Sequence, residues 1–264
     1  MPDFLIQLLP PYFESWHLLV SFLAGLIGEG YATLVGSGGV LIQFALATLG
    51  LPLAVVVATD IGGSQGADLG IIAASSRKML NNKKLLFMLA LPVFVGGVIG
   101  TLFLVYISTL LLKAVLIVGL SLLLMYVLIG KKAELQAFEN INLGWHRYPL
   151  IFVVMFVLGV YGNVSGVGVG TFNRFAYVSL LRVGFVESLG LTSLIAIPAT
   201  LFSTIVTGMS GLIAWPYFIA IFIGSFIGAN FVSRHVRKVP EKYLRILLIS
   251  VIVLYLVYLV YSLF

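Results

Sequence analysis

Cysteine is absent from the chain. Disulfides, thiolate metal sites, haem-attachment motifs and cysteine nucleophiles are therefore excluded, and the redox compartment leaves no trace. Charge is scarce too: 9% of residues are Asp, Glu, Lys or Arg, against roughly a quarter in soluble domains. No Lys or Arg precedes Arg77. The amino-terminal stretch, with Pro2, Pro10 and Pro11, thus lacks the charged n-region of a cleavable signal, and its first apolar segment is expected to remain. The three histidines, His17, His146 and His235, lie far apart at the edges of apolar runs, so no metal site is expected. The glycine-rich stretches are not followed by Lys in a G-x-x-x-x-G-K-[ST] pattern. Gly166, Gly168 and Gly170 also miss the G-x-G-x-x-G spacing, so neither nucleotide binding nor any other cofactor is expected.

What is present is apolar. Of 264 residues, 61% are hydrophobic, and the mean hydropathy is +1.16. The apolar segments are long and uninterrupted, which points to membrane helices and away from an outer-membrane barrel, whose strands alternate. The formal net charge of +6 falls in short basic clusters between apolar runs, as topology determinants do. Lipid is the expected partner and nucleic acid is not.

Two stretches interrupt these runs. Tyr161 to Gly170 reads Y-G-N-V-S-G-V-G-V-G, and the earlier stretch holds Gly28-Glu29-Gly30 and Gly36-Ser37-Gly38-Gly39. Each glycine lowers helix preference by about 1 kcal/mol relative to alanine. An unwound backbone survives in lipid only when it is buried in protein or lines a wet cavity. The run from Leu18 to Gly50 would be about 50 Å long as one helix, against a hydrocarbon core of about 30 Å. It is therefore expected to fold as a hairpin: helix to about Ile27, a glycine-rich turn, and a short helix from about Val40 to Leu49. A span from Leu51 to about Ser75 and spans at 85–106 and 110–129 follow. The second half repeats the plan, with a broken segment from Pro149 to Leu181 and spans at 185–207, 212–232 and 243–264.

The expected fold is an all-α membrane protein of two inverted repeats, each a re-entrant or broken helical hairpin followed by three transmembrane helices. Its divisions are an N-terminal lead (1–17), a first repeat (18–129), a cytoplasmic linker (130–146) and a second repeat (147–264). Local pairing supports the duplication. Pro92 to Gly100 lines up with Ala220 to Gly228, each carrying a G-x-x-x-G, and Thr59-Asp60 lines up with Thr192-Ser193. G-x-x-x-G lets helix backbones approach closely, and a homodimer through these helices is expected.

Charge sets the orientation. If both broken segments crossed fully, the basic residues outside the segments would divide seven (Arg77, Lys78, Lys83, Lys84, Lys131, Lys132, Arg147) to seven (Lys113, Arg182, Arg234, Arg237, Lys238, Lys242, Arg245). If both are hairpins, all but Lys113 fall on one face, as the positive-inside bias requires. An odd number of crossings per half then turns the second half upside down.

With these features in place the chain resembles the sulfite exporter TauE/SafE family of membrane transporters. The resemblance rests on Gly25 to Gly39, the Gly50-Leu51-Pro52 step into a helix reaching Ala58-Thr59-Asp60, the basic loop from Arg77 to Lys84, the G-x-x-x-G helices, and Gly162 to Gly170. It covers about Leu18 to Phe264. It implies a multi-pass protein of the bacterial inner membrane that moves small anions such as sulfite, organosulfonates or related carboxylates, most simply as an exporter. A passive anion channel is the alternative. An intramembrane enzyme ranks third, because no H-E-x-x-H or G-x-S-x-G arrangement supports hydrolysis.

A short helix starting after each break aims free N–H groups and its positive dipole end inward, which suits an anion. The expected substrate-binding residues are Gly36, Ser37, Gly38, Gly39 and Thr59 in the first half. In the second they are Asn163, Ser165, Gly166, Gly168, Gly170, Asn173, Arg174, Thr192 and Ser193. The glycines could instead serve helix packing, and Arg174 could snorkel. Asp68, Asp60 and Glu29 are candidates for proton or ion coupling, since intramembrane carboxylates mark such paths. Asp68 is expected to lie deepest and Asp60 nearer the outer face. The structural alternative is an ion pair of Asp68 with Arg174.

Overall fold

A computed structural model describes residues 14–36, 38–74, 82–129, 148–181, 183, 185–235 and 241–262. The expected lead up to residue 13 and the linker at 130–146 lie outside the described residues. So do the basic clusters at Arg77, Lys78 and at Arg237, Lys238.

The described residues are helical. The first half holds α1 (Ser15–Val35), α2 (Gly39–Thr48), α3 (Leu53–Gly63), α4 (Gln65–Ala74), α5 (Lys83–Tyr106) and α6 (Thr109–Ile129). The second holds α7 (Tyr148–Ser165), α8 (Val169–Ala176), a wide π turn (Tyr177–Leu181), α9 (Phe185–Met209), α10 (Trp215–His235) and α11 (Glu241–Tyr261). Among the described residues, five stretches are long and apolar enough to cross a bilayer: Ser15–Leu34, Lys83–Tyr106, Tyr148–Ser165, Ser188–Met209 and Trp215–His235. Their outward faces are apolar, as Leu19, Leu23 and Ile27 show on α1 and Ile219, Ile223 and Ile227 on α10. Such faces suit lipid.

Two boundaries differ from expectation for identifiable reasons. Helix α1 does not stop near Ile27 but runs eight residues further. Its glycines there serve packing: a Cβ on Gly28 would lie 3.2 Å from Gly38 O, and one on Gly30 would lie 3.4 Å from Gly228 O. The chain breaks only at Gly36, whose φ of +94° suits glycine and few other residues. The span beginning at Leu51 is not continuous either. It divides at Ser64 into α3 and α4, after Gly62 and Gly63 have weakened the helix.

Helices α1 and α10 pack along each other, and so do α7 and α5. The reason is the pair of small-residue stripes. Cβ atoms on Gly224 and Gly228 would strike the carbonyl oxygens of Phe22 and Leu26, while those on Gly96 and Gly100 would strike the carbonyl oxygens of Phe156 and Val160. Gly25 meets Ile221 and Gly159 meets Val93 from the opposite sides. Both G-x-x-x-G stripes are thus covered within one chain, and a homodimer using them would have to displace α1 or α7.

Candidate functional site: a cavity between two glycine breaks

The two breaks touch. A Cβ on Gly36 would lie 2.5 Å from Thr171 N, and one on Gly170 would lie 2.5 Å from Gly36 O. One on Gly39 would lie 3.1 Å from Gly166 O and 2.7 Å from Asp60 Oδ2. Backbones come this close only where side chains are missing. Gly166 and Gly168 turn the second break with φ of +69° and +72°.

Beside the junction lies a cavity of about 150 Å³. The start of α2 (Gly38, Gly39), the start of α8 (Val169, Gly170), and side chains from α1, α3, α4, α7, α8 and α9 line it. Arg174, on the second turn of α8, is buried and donates from Nη2 to Ala32 O at 2.8 Å. It also attracts Glu29 electrostatically. Burying such charges is tolerable only when they are paired or hydrogen-bonded. Ser64 Oγ lies 2.9 Å from Glu29 Oε1 and 3.1 Å from Asp60 Oδ1, tying α1 to α3 at the helix division.

Asp60 is held from its other side by Gln43, whose Nε2 donates to Asp60 Oδ2 at 2.8 Å and to Ser165 O at 2.6 Å. Tyr255 in turn donates to Gln43 Oε1 at 3.2 Å. One fully buried amide therefore links α2, α3, α7 and α11. Neither Gln43 nor Ser64 was among the expected site residues. The signal for Gln43 was there: a lone amide in the apolar run from Val40 to Leu49 needs a partner. Gly62 to Gly66 also carries the G-x-S-x-G spacing of serine hydrolases. Ser64 instead sits between two carboxyl groups, and no histidine is among the described residues lining the cavity.

Of the expected site residues, the cavity brings together Gly36, Gly38, Gly39, Asn163, Gly166, Gly170, Asn173, Arg174, Thr192 and Ser193, with Glu29, Asp60 and Asp68. Thr59, Ser165 and Gly168 are not among its lining. Thr59 Oγ1 accepts from Ala214 N at 3.0 Å, Ser165 serves Gln43 through its carbonyl, and Gly168 packs near Leu123. Ser37 lies outside the described residues. Asp60 is 1% exposed and Asp68 is half-buried, because α2 covers the end of α3. Asp68 hydrogen-bonds Ser193 of α9, and Arg174 interacts with Glu29 instead.

The sequence profile described as Sulfite exporter TauE/SafE matches residues 18–259, nearly the whole chain. The chain belongs to the sulfite exporter TauE/SafE family. It is 25% identical over 241 residues to a probable membrane transporter protein, ORF9, of Sinorhizobium sp, covering 90% of each chain. It is likewise 25% identical over 237 residues to the probable membrane transporter protein YfcA of Escherichia coli K12, covering 88% of this chain and 84% of that protein. A probable membrane transporter protein of Haemophilus influenzae is 23% identical over 232 residues, or 86% of this chain and 88% of its own. As a TauE/SafE member with five helices able to cross a bilayer among its described residues, the chain is an integral membrane protein of a transporter family.

Proposed function

We propose that the protein is a secondary transporter of small anions, of the sulfite, organosulfonate or related carboxylate class, in the bacterial inner membrane. Arg174 carries this reading. It is a buried cation on the wall of a cavity that the starts of two short helices also line. A cation at this depth is costly unless it serves a partner or a ligand, and helix starts supply N–H groups and positive dipole ends. Export follows most simply, because an anion leaving an inside-negative cell gains about 2.3 kcal/mol per charge per 100 mV.

The packing supports two inverted repeats. Each half's first helix lies on the G-x-x-x-G helix of the other half, α1 on α10 and α7 on α5, and the two breaks meet between them. A pseudo-two-fold axis produces such reciprocal pairs, and broken helices at a repeat interface are the common site of alternating-access carriers.

The test is a thermal-shift screen of the purified protein against sulfite, sulfonates, carboxylates and inorganic anions, since a selective ligand stabilises the folded state. Arg174→Ala should weaken binding of the stabilising anion by about 1.5–3 kcal/mol, the scale of a hydrogen bond to a charge. Arg174→Lys should recover only part, because the guanidinium fork is lost. Undiminished affinity in a folded Arg174→Ala protein would assign the arginine to packing.

A further inference from the structure

The cavity lies to one side of the junction between the breaks. Helices α4 and α9 run antiparallel beside it, since Gln65 Nε2 donates to Thr200 O at 2.9 Å and Asp68 pairs with Ser193. Along them the lining runs from Asp60 to Ile71 and from Thr200 back to Leu189, towards the end of the molecule where α4 stops and α9 starts. Towards the other end the same elements are packed shut. Val56 and Val57 on α3, Ser203 and Thr207 on α9, and Ala214 beyond it are buried and form no part of the lining.

Helix α2 fills this shut end. Its Ile42 and Leu46 are fully buried in a cluster with Val55, Val56, Tyr217 and Ile221. Gly36 and Gly50 bracket the helix, both at positive φ, +94° and +84°, and a Cβ on Gly50 would meet nothing within 4 Å. Glycines so placed can absorb the dihedral changes of a hinge. Polar groups fasten α2 to α11. Tyr255 Oη donates to Gln43 Oε1 and Tyr258 Oη to Ala47 O, each at 3.2 Å. The Phe44 ring stands edge-on to both tyrosines, with centroids 6.1 Å apart. Gln43 carries the fastening inward, to Asp60 Oδ2 on α3 and to Ser165 O at the second break.

We propose that α2 is the gate of the shut end. It swings about Gly36 and Gly50, and the string Asp60–Gln43–Tyr255, with the contact of Phe44 and Tyr258, is the latch that holds it closed while the cavity extends towards the other end. The proposal rests on the reading of the protein as a carrier, which must open its central site to one face at a time. It adds which element moves and which side chains hold it.

Labelling rates of a single cysteine by a membrane-impermeant thiol reagent test this on the full chain, in right-side-out and inverted vesicles. Ala196 of α9 lines the cavity. Lys83 opens α5 beyond the end of α4, and Ser210 follows α9 at the shut end. Ala196→Cys should react about tenfold faster or more from the face of Lys83 than from the face of Ser210, since a minor state is populated at about 10% or less. Adding Tyr255→Phe removes one hydrogen bond from the latch and should raise the rate from the Ser210 face about fivefold, without raising the other. Phe44→Ala, which removes the ring between the two tyrosines, should act in the same direction. If Ala196→Cys reacts no faster from the Lys83 face than from the Ser210 face, the one-sided cavity is overturned and a channel is favoured. Rates in both latch variants that match the parent, or that rise together from both faces as in a loosened fold, would overturn the gate and leave the anion-transporter reading standing.

Discussion

The two glycine breaks share a backbone design and differ in what they carry. Helix α2 begins at Gly39 and α8 at Val169, so Gln43 and Asn173 hold the same place, the fifth residue of each returning helix. Gly36 and Gly166 hold the same place too, and both have positive φ. The side chains have diverged. In the first half the amide is fully engaged, with Asp60, Ser165 and Tyr255 around it. In the second, Asn173 lines the cavity, one residue from Arg174, and its buried Oδ1 has no hydrogen-bond partner among the described residues. The acidic groups come from α1, α3 and α4, whereas the cation and the unpartnered amides come from α7 and α8. One half thus reads as scaffold and acid wall, the other as the side that meets an anion.

The largest expected effect comes from filling the contact between the breaks. Gly36→Ala adds a Cβ at a left-handed φ and against the backbone of Thr171. Strain of about 1–2 kcal/mol and overpacking of about 1–3 kcal/mol together put the loss on the order of 3 kcal/mol. Gly50→Ala is the control, with φ of +84° and nothing within 4 Å, so only the strain of about 1–2 kcal/mol applies. Midpoints of thermal unfolding in a mild detergent compare the two. Equal midpoints would mean that the breaks do not press on each other.

A smaller effect separates the equivalent amides. Gln43→Leu leaves Asp60 Oδ2 and the Ser165 carbonyl short of a donor, and should destabilise by about 2–3 kcal/mol. Asn173→Leu removes an acceptor that the protein does not satisfy, and should change stability by about 1 kcal/mol or less. The same unfolding midpoints read both. A larger loss from Asn173→Leu would erase the division between the engaged amide and the cavity-lining one.

Much of this arrangement was legible in the residues, and the misses have a common cause. Glycine density placed both breaks, and apolar length located most helices to within a few residues: α5 and α6 start within two residues of expectation. Glycine alone does not say whether it unwinds a helix or lets another helix approach. Gly28 and Gly30 were therefore read as a break although Gly38 and Gly228 sit against them. The division at Ser64 and the role of Gln43 depend on partners from distant segments, Glu29 and Tyr255, which one-dimensional spacing does not reveal.

The central claim is that the two halves are inverted copies closing on one cavity, and side-specific labelling tests it most directly. The chain has no cysteine, so single cysteines at Lys83, Ser210 and His235, all exposed, can be labelled without background in sealed vesicles. Lys83 opens α5, and His235 closes α10, the helix that the inverted-repeat proposal pairs with it. Inverted repeats place Lys83→Cys and His235→Cys on the same, cytoplasmic face and Ser210→Cys on the other. Labelling of positions 83 and 235 from opposite faces would contradict the inverted arrangement.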